Sequence, residues 1–303
     1  MSVDTSTMDA TERTRALLTT AEPRRRRTDR MMAVLIWGAF VLAMLPLVSL
    51  LWTVLFNGAG RISLEFLSYS MRGIFGGDPS GGIYHAITGT LIITGWAALI
   101  SVPIGILVAI YLVEYGRGAL ARSVTFFVDV MTGIPSIVAG LFAVSLFTIF
   151  FGPGARFGFM GAVALSVLMI PVVVRSCEEM LKLVPNELRE ASYALGVPKW
   201  KTIMKVVLPT AFSGIVTGVL LGMARVMGET APLLILGPYT KTIATDLFSG
   251  LMPTLPTMIN QDRTESLQPA VDRVWAAALT LILLVLLLNL AGRFVARFGS
   301  VRR

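Results

Sequence analysis

The stretch NELREASYALGVPKWKTIMKVVLP, Asn186 to Pro209, is charged and amphipathic, yet apolar runs flank it on both sides, Phe157 to Val174 before and Val206 to Leu236 after. A bilayer core about 30 Å thick takes roughly 20 apolar residues of helix, and each flanking run is close to that length or beyond it. The same length recurs in Met31 to Phe56, Tyr84 to Val113, Ser123 to Phe151 and Val274 to Gly292, which makes six runs. With 55% hydrophobic residues, 15% charged residues and a mean hydropathy of +0.76, the composition lies outside that of a soluble domain. A spanning β-barrel is excluded, because its segments are about ten residues long and alternate in polarity. The expected fold is all-α: a polytopic membrane protein with six transmembrane helices.

A net charge of +8 taken alone would suggest a nucleic-acid partner. Topology accounts for most of it. With the N-terminus inside, 19 of the 26 Lys and Arg residues fall in cytoplasmic segments, 6 fall in outside loops, and Arg225 is left within a span. This bias places both termini in the cytoplasm. The run RRRR at Arg24 to Arg27 then orients the first helix, and no nucleic-acid role is assigned to it. Residues 1–30 are expected to form a disordered, basic cytoplasmic tail, residues 31–297 the transmembrane domain, and residues 298–303 a second basic tail. The first run is too long for a signal-peptide core and is expected to be retained as a helix. Cys177 is the single cysteine and His85 the single histidine, so no disulfide or metal-ligand cluster is expected.

Within the third run, GIPS at Gly133 to Ser136 predicts a break, because proline removes a backbone donor and suits the first turn of a new helix. Asp129 lies just before it. It would sit at the cytoplasmic interface if Ala119 to Thr132 lies along the surface, or in a transport path if it is buried. Outside, GGDPSGG at Gly76 to Gly82 and MPTLPT at Met252 to Thr257 read as turns. Gly218, Gly222 and Gly228 read as sites of close helix approach.

In the opening stretch, Pro185 suits a first helical position, and Glu187 and Glu190 complement the dipole of the early turns. Gly196 and Pro198 then end the helix. Leu188, Ala191 or Ser192, and Leu195 recur at helical spacing, giving a short helix from about Pro185 to Leu195 with one apolar face. A second helix starts near Pro198 and carries Trp200, Ile203 and Val207. Two short helices joined at a glycine, beside Lys199, Lys201 and Lys205, also describe a DNA-reading motif. A module held between two spans at the inner face is better placed to dock on a cytoplasmic protein, or to pack on its own bundle.

The residues Glu190, Ala191 and Ser192, then Gly196 after three positions, then Val206, Leu208 and Pro209, resemble the EAA signature of bacterial ABC importer permeases. Ser192 replaces the usual alanine and Val206 the usual isoleucine. The resemblance implies a type I importer bundle in which residues 177–207 form a cytoplasmic coupling loop. Leu188, Glu190, Ala191, Ser192, Leu195 and Gly196 would then meet an ATPase subunit. Four further stretches, GGIYHAITGT at Gly81 to Thr90, PIGILVAIYLVEY at Pro103 to Tyr115, GIPSIVAGLF at Gly133 to Phe142 and ARVMGETAPLL at Ala224 to Leu234, are similar to the phosphate-specific transport (Pst) permeases of the A type. That resemblance implies a C-type second permease, a B-type ATPase dimer, an extracytoplasmic phosphate-binding protein, phosphate as cargo, and a place in the bacterial inner membrane.

Arg225 and Glu229 are the strong charges of the fifth run, and each costs about 2.5 to 3.5 kcal/mol at a helix centre before compensation. Four residues apart on a helix, they can pair with each other. Alternatively, the Arg225 guanidinium suits an oxyanion, with Glu229 competing for it when the path is empty. Residues of this motif are implicated in translocation in Pst permeases, which assigns both to the path by resemblance. Thr230, Ser136 and Thr132 are weaker candidates, since such residues also pack helices. No P-loop pattern occurs, so ATP hydrolysis is expected in a separate subunit, with no enzyme activity and no cofactor here. A permease for sulfate or molybdate, and an ion-coupled secondary transporter, are the competing readings.

Overall fold

The computed structural model describes residues 23–299. The expected tails therefore lie mostly outside the described residues. Within them, helix α1 (Pro23–Ala59) begins inside the stretch expected to be tail, because Pro23 suits a helix start and arginine is a good helix former. Likewise, α12 (Gln268–Gly299) runs past residue 297. Between them, in order, come α2 (Leu64–Ser68), α3 (Tyr84–Ile110), α4 (Gly118–Thr132), α5 (Ser136–Phe151), α6 (Gly158–Lys182), α7 (Asn186–Ala194), α8 (Lys199–Thr202), α9 (Leu208–Met227), α10 (Ala231–Leu236) and α11 (Leu255–Asp262). Wide π turns extend α3 at Tyr111–Tyr115 and join α8 to α9 at Ile203–Val207. No strand occurs among the described residues. The chain divides into two compact units at Leu55 and Phe56. The described part of the first is a single apolar helix; the second holds all the remaining elements.

Five helices are long and apolar enough to cross a membrane, and α4 with α5 passes only as a pair bent by 107°. The break therefore falls at the GIPS sequence, where Pro135 caps α5. Two further run boundaries and one turn are corrected. The fourth helix continues from Val174 to Lys182, because Glu178 lies 2.8 Å from Arg175 and 2.7 Å from Lys182 at helical spacing, which stabilises further polar turns. The fifth stops at Met227, where Gly228 to Thr230 interrupt it before α10 resumes with Pro232 in its first turn. MPTLPT is not only a turn: Thr254 and Thr257 form a capping box that starts α11.

Helix α6 lies at the centre of the second unit, with α3, α9 and α5 packed around it. Lipid tails are as apolar as leucine, so helices associate in a membrane through close packing of small residues. A Cβ at Gly218 would stand 2.4 Å from Ser176 Cβ on α6, and one at Gly222 would stand 3.4 Å from Met169 and Val173. Both act as expected. Gly228 does not, since its nearest neighbour would be its own turn's Arg225 carbonyl at 3.7 Å. Gly218→Leu is therefore expected to push α9 off α6 and cost about 1 to 3 kcal/mol of overpacking, read as a lower melting temperature in detergent; Gly228→Ala should leave that temperature unchanged.

Candidate coupling surface and translocation site

Helix α7 ends where Gly196 adopts φ +73°, a conformation that glycine reaches without the Cβ penalty. The amides of Gly196 and Val197 donate back to the Tyr193 and Ser192 carbonyls at 2.9 and 3.2 Å, closing the turn. This turn aims the exposed side of the module. Leu188, Glu190, Ala191, Leu195 and Gly196 are exposed, with Leu195 83% accessible, and Trp200 at 60% and Met204 at 58% extend the apolar surface. Ser192 differs from the other predicted contact residues. It is 7% accessible, and its hydroxyl shares a 2.8 Å hydrogen bond with that of Thr202 across the turn. Helical spacing alone left Ala191 and Ser192 as alternatives; packing against α8 selects Ser192 as the inward one.

The back of the module is anchored by a residue that sequence reading passed over. Arg189 Nε donates to Glu114 Oε1 at 3.0 Å, Nη1 to the Val184 carbonyl at 2.6 Å, and Nη2 to the Leu181 carbonyl at 3.0 Å. Lys199 donates to the Glu114 carbonyl, with its ammonium 4.7 Å from the centre of the Tyr115 ring. The available signals were the arginine within LREA and, far upstream, the acidic Glu114 just past the run Tyr84 to Val113. Its partner, 75 positions away, cannot be read from spacing.

Arg225 occupies the last turn of α9, where a cation suits the carbonyl end of the helix dipole. It is exposed within this chain. Glu229 lies beyond the helix end, half-buried in the interruption before α10, so the two do not share a helix face as the four-residue spacing implied. Among the described residues neither enters an ion pair. Ser213, Thr217, Leu221 and Arg225, spaced by four, form one exposed row on α9. Toward the N-terminal half of α9, Ser213 and Thr217 border an open groove of about 440 Å³, whose other polar walls are Ser176, Glu179 and Arg293. Thr132 Oγ1 is engaged by the Val128 carbonyl of its own helix at 2.9 Å, which suits a packing role. Asp129 is largely exposed and pairs with Arg175 on α6, as suits a surface position for α4.

At the opposite end of the bundle a second polar cluster is buried. Arg273, fully buried, donates to the Asp78 and Gly76 carbonyls at 2.7 and 2.9 Å and stands 3.7 Å from Asp262. Burial raises the Asp262 carboxyl above the usual range despite the opposing pull of Arg273 and Lys241. His85 and the Tyr239 hydroxyl are hydrogen-bonded, and Lys241 holds the Ile74 carbonyl at 2.8 Å. Burial, helped by Asp262, also raises the Tyr239 phenol. Among the described residues no group of His, Cys, Asp and Glu is arranged to hold a metal.

Residues 101–299 match the family model for the inner-membrane component of binding-protein-dependent transport systems. Along 281 residues the chain is 49% identical to phosphate transport system permease protein PstA 1 of Mycobacterium tuberculosis (strain CDC 1551 / Oshkosh), covering 92% of each. It is 37% identical to PstA of Yersinia pestis, covering 89% of this chain and 90% of that one. Among solved structures, the inward-facing MetNI methionine ABC transporter shares the fold, with a TM-score of 0.58 at 20% identity, covering 79% of this chain and all of that one. The chain belongs to the binding-protein-dependent transport system inner-membrane component family and, within it, to the PstA phosphate transport system permeases.

Proposed function

We propose that this chain is the A-type permease subunit of an ATP-driven phosphate importer, forming half of the translocation path. It is a multi-pass inner-membrane protein, and the basic bias of its loops puts both termini in the cytoplasm. The observation that carries the coupling role is the α7 module: an exposed face of Leu188, Glu190, Ala191 and Leu195, backed by a buried ion pair and a fixed glycine turn. An apolar patch rimmed by charge and held rigidly from behind is suited to a protein groove. Its partner is a B-type ATPase dimer. A C-type permease completes the path, and an extracytoplasmic phosphate-binding protein delivers the anion. Ser192 builds the module from within, while Leu188, Glu190, Ala191, Leu195 and Gly196 form or shape its outer face.

Arg225 is proposed as the anion-contacting cation of the path. It is exposed here, and a guanidinium offers the donor geometry that phosphate accepts. Ser213 and Thr217 continue its row toward the groove they border, roughly 18 Å along the axis at 1.5 Å per residue. Glu229, in the break just beyond, is proposed to tune how tightly the anion is held. The relatives cited carry phosphate transport names, and neither another oxyanion nor ion-coupled transport gains support from them.

The test introduces charge into the docking face. Leu188→Asp with Leu195→Asp is expected to weaken copurification of the ATPase at least tenfold, since each desolvated anchor contributes more than about 1 kcal/mol. The C-type permease should still copurify. Unchanged ATPase capture would remove α7 as the coupling contact.

A further inference from the structure

The structure assigns the Arg189–Glu114 pair as the positioning contact by which the coupling helix moves the inner ends of α3 and α6. This rests on the reading of α7 as the ATPase contact. Three segments meet at Arg189: the wide turn ending α3, through Glu114; the end of α6, through the Leu181 and Val184 carbonyls; and the start of its own helix, through Asn186 Oδ1 at 3.3 Å. The two charged side chains lie 2.9 Å apart and are 12% and 5% accessible. A pair this shielded escapes most solvent screening, and its planar fork resists rotation. It behaves as a strut.

The surroundings specify what the strut moves. Residues 183–185 alone connect α6 to α7 through the backbone, and the Arg189 contacts to the Leu181 and Val184 carbonyls add a side-chain tie across that linker. Lys199, at the start of α8, holds the Glu114 carbonyl, so both ends of the module attach to the same turn of α3. That turn and the one at Ile203–Val207 are π turns. Such turns are rare and often occur at functional sites. The module therefore hangs between two wide turns, one leading into α3 and one into α9, while α3 and α9 both pack on α6. Displacing α7 moves Arg189, and Arg189 carries the ends of α3 and α6 with it.

The test uses the assembled transporter in proteoliposomes, measuring labelled phosphate taken up per ATP hydrolysed. Neither residue lies on the docking face. Glu114→Gln and Arg189→Gln are expected to keep the ATPase bound and ATP hydrolysis within about twofold of wild type, while the uptake-to-hydrolysis ratio falls tenfold or more. The double variant should fall no further than either single one, because both remove one contact. Arg189→Lys, which keeps the cation but not the fork, should give an intermediate ratio. A wild-type ratio in both glutamine variants would overturn the assignment. Loss of ATPase capture would overturn it too, by showing that the pair builds the docking face and transmits nothing. Should the glutamine variants not accumulate, Arg189→Lys carries the same measurement, with a wild-type ratio as the overturning result. Failure of the wild-type chain to capture any ATPase would instead defeat the coupling reading itself.

Discussion

Arg225→Gln is expected to reduce phosphate uptake at least a hundredfold while both permeases and the ATPase still copurify. A cation placed in a span costs about 2.5 to 3.5 kcal/mol by insertion scales, and such a cost is normally offset by a partner. Among the described residues of this chain no side chain provides one, since Glu229 lies past the end of α9 and enters no ion pair. On the proposed reading of Arg225, the compensation comes from an anion met by the exposed row of α9. Glutamine keeps much of the length and the polarity of the side chain but loses the charge and the fork, so packing survives and anion attraction does not. The drop corresponds to about 2.7 kcal/mol of lost stabilisation along the path, within reach of one charge-assisted contact in a low-dielectric channel. Labelled phosphate uptake in proteoliposomes, normalised to assembled complex, makes the measurement. Wild-type uptake would remove Arg225 from the path.

Patterns that act locally were legible in the sequence. The GIPS break needs only the missing amide of Pro135, and the end of α7 needs only the freedom of Gly196, so both were foreseen where they occur. That Leu188, Ala191 and Leu195 share one face followed from a 3.6-residue period, apart from the choice between Ala191 and Ser192, which the Thr202 hydroxyl decides. Features that depend on distant partners were not legible. The run from Val206 to Leu236 is predominantly apolar, and hydropathy alone could not place the interruption at Gly228 to Thr230. That interruption separates Arg225 from Glu229 and undoes the helical pairing that their spacing suggested. The partners of Arg273 in Gly76 and Asp78, and of Arg189 in Glu114, likewise lie far off in the chain. Buried charges in a sequence read as loop or tail charges until the fold encloses them.

Arg273→Met is expected to be the most destabilising single substitution at the Arg273 end of the bundle. The guanidinium fastens the Gly76 and Asp78 carbonyls to the start of α12 and faces Asp262, the last residue of α11. Methionine fills comparable volume but leaves two carbonyls without a donor and a buried carboxylate with only the Lys241 influence in place of its nearest cation. Breaking a buried pair from one side in this way costs about 3 to 5 kcal/mol. The readout is the melting temperature in detergent, together with faster proteolysis of residues 237–265. The pH dependence has a definite sign. Burial already raises Asp262 above its unfolded value, and removing Arg273 takes away an influence that lowers it. A carboxyl raised on folding favours the protonated native state, so the deficit is greatest near neutral pH, where the carboxylate is charged. It shrinks as pH falls through the raised folded value. Adding Asp262→Leu to Arg273→Met should recover part of the loss and abolish that pH dependence, since no buried carboxylate then remains; the two carbonyls keep the recovery incomplete. A melting temperature for Arg273→Met equal to wild type at neutral pH would show that the cluster does not hold the loops around Gly76, Asp78 and Asp262 in place.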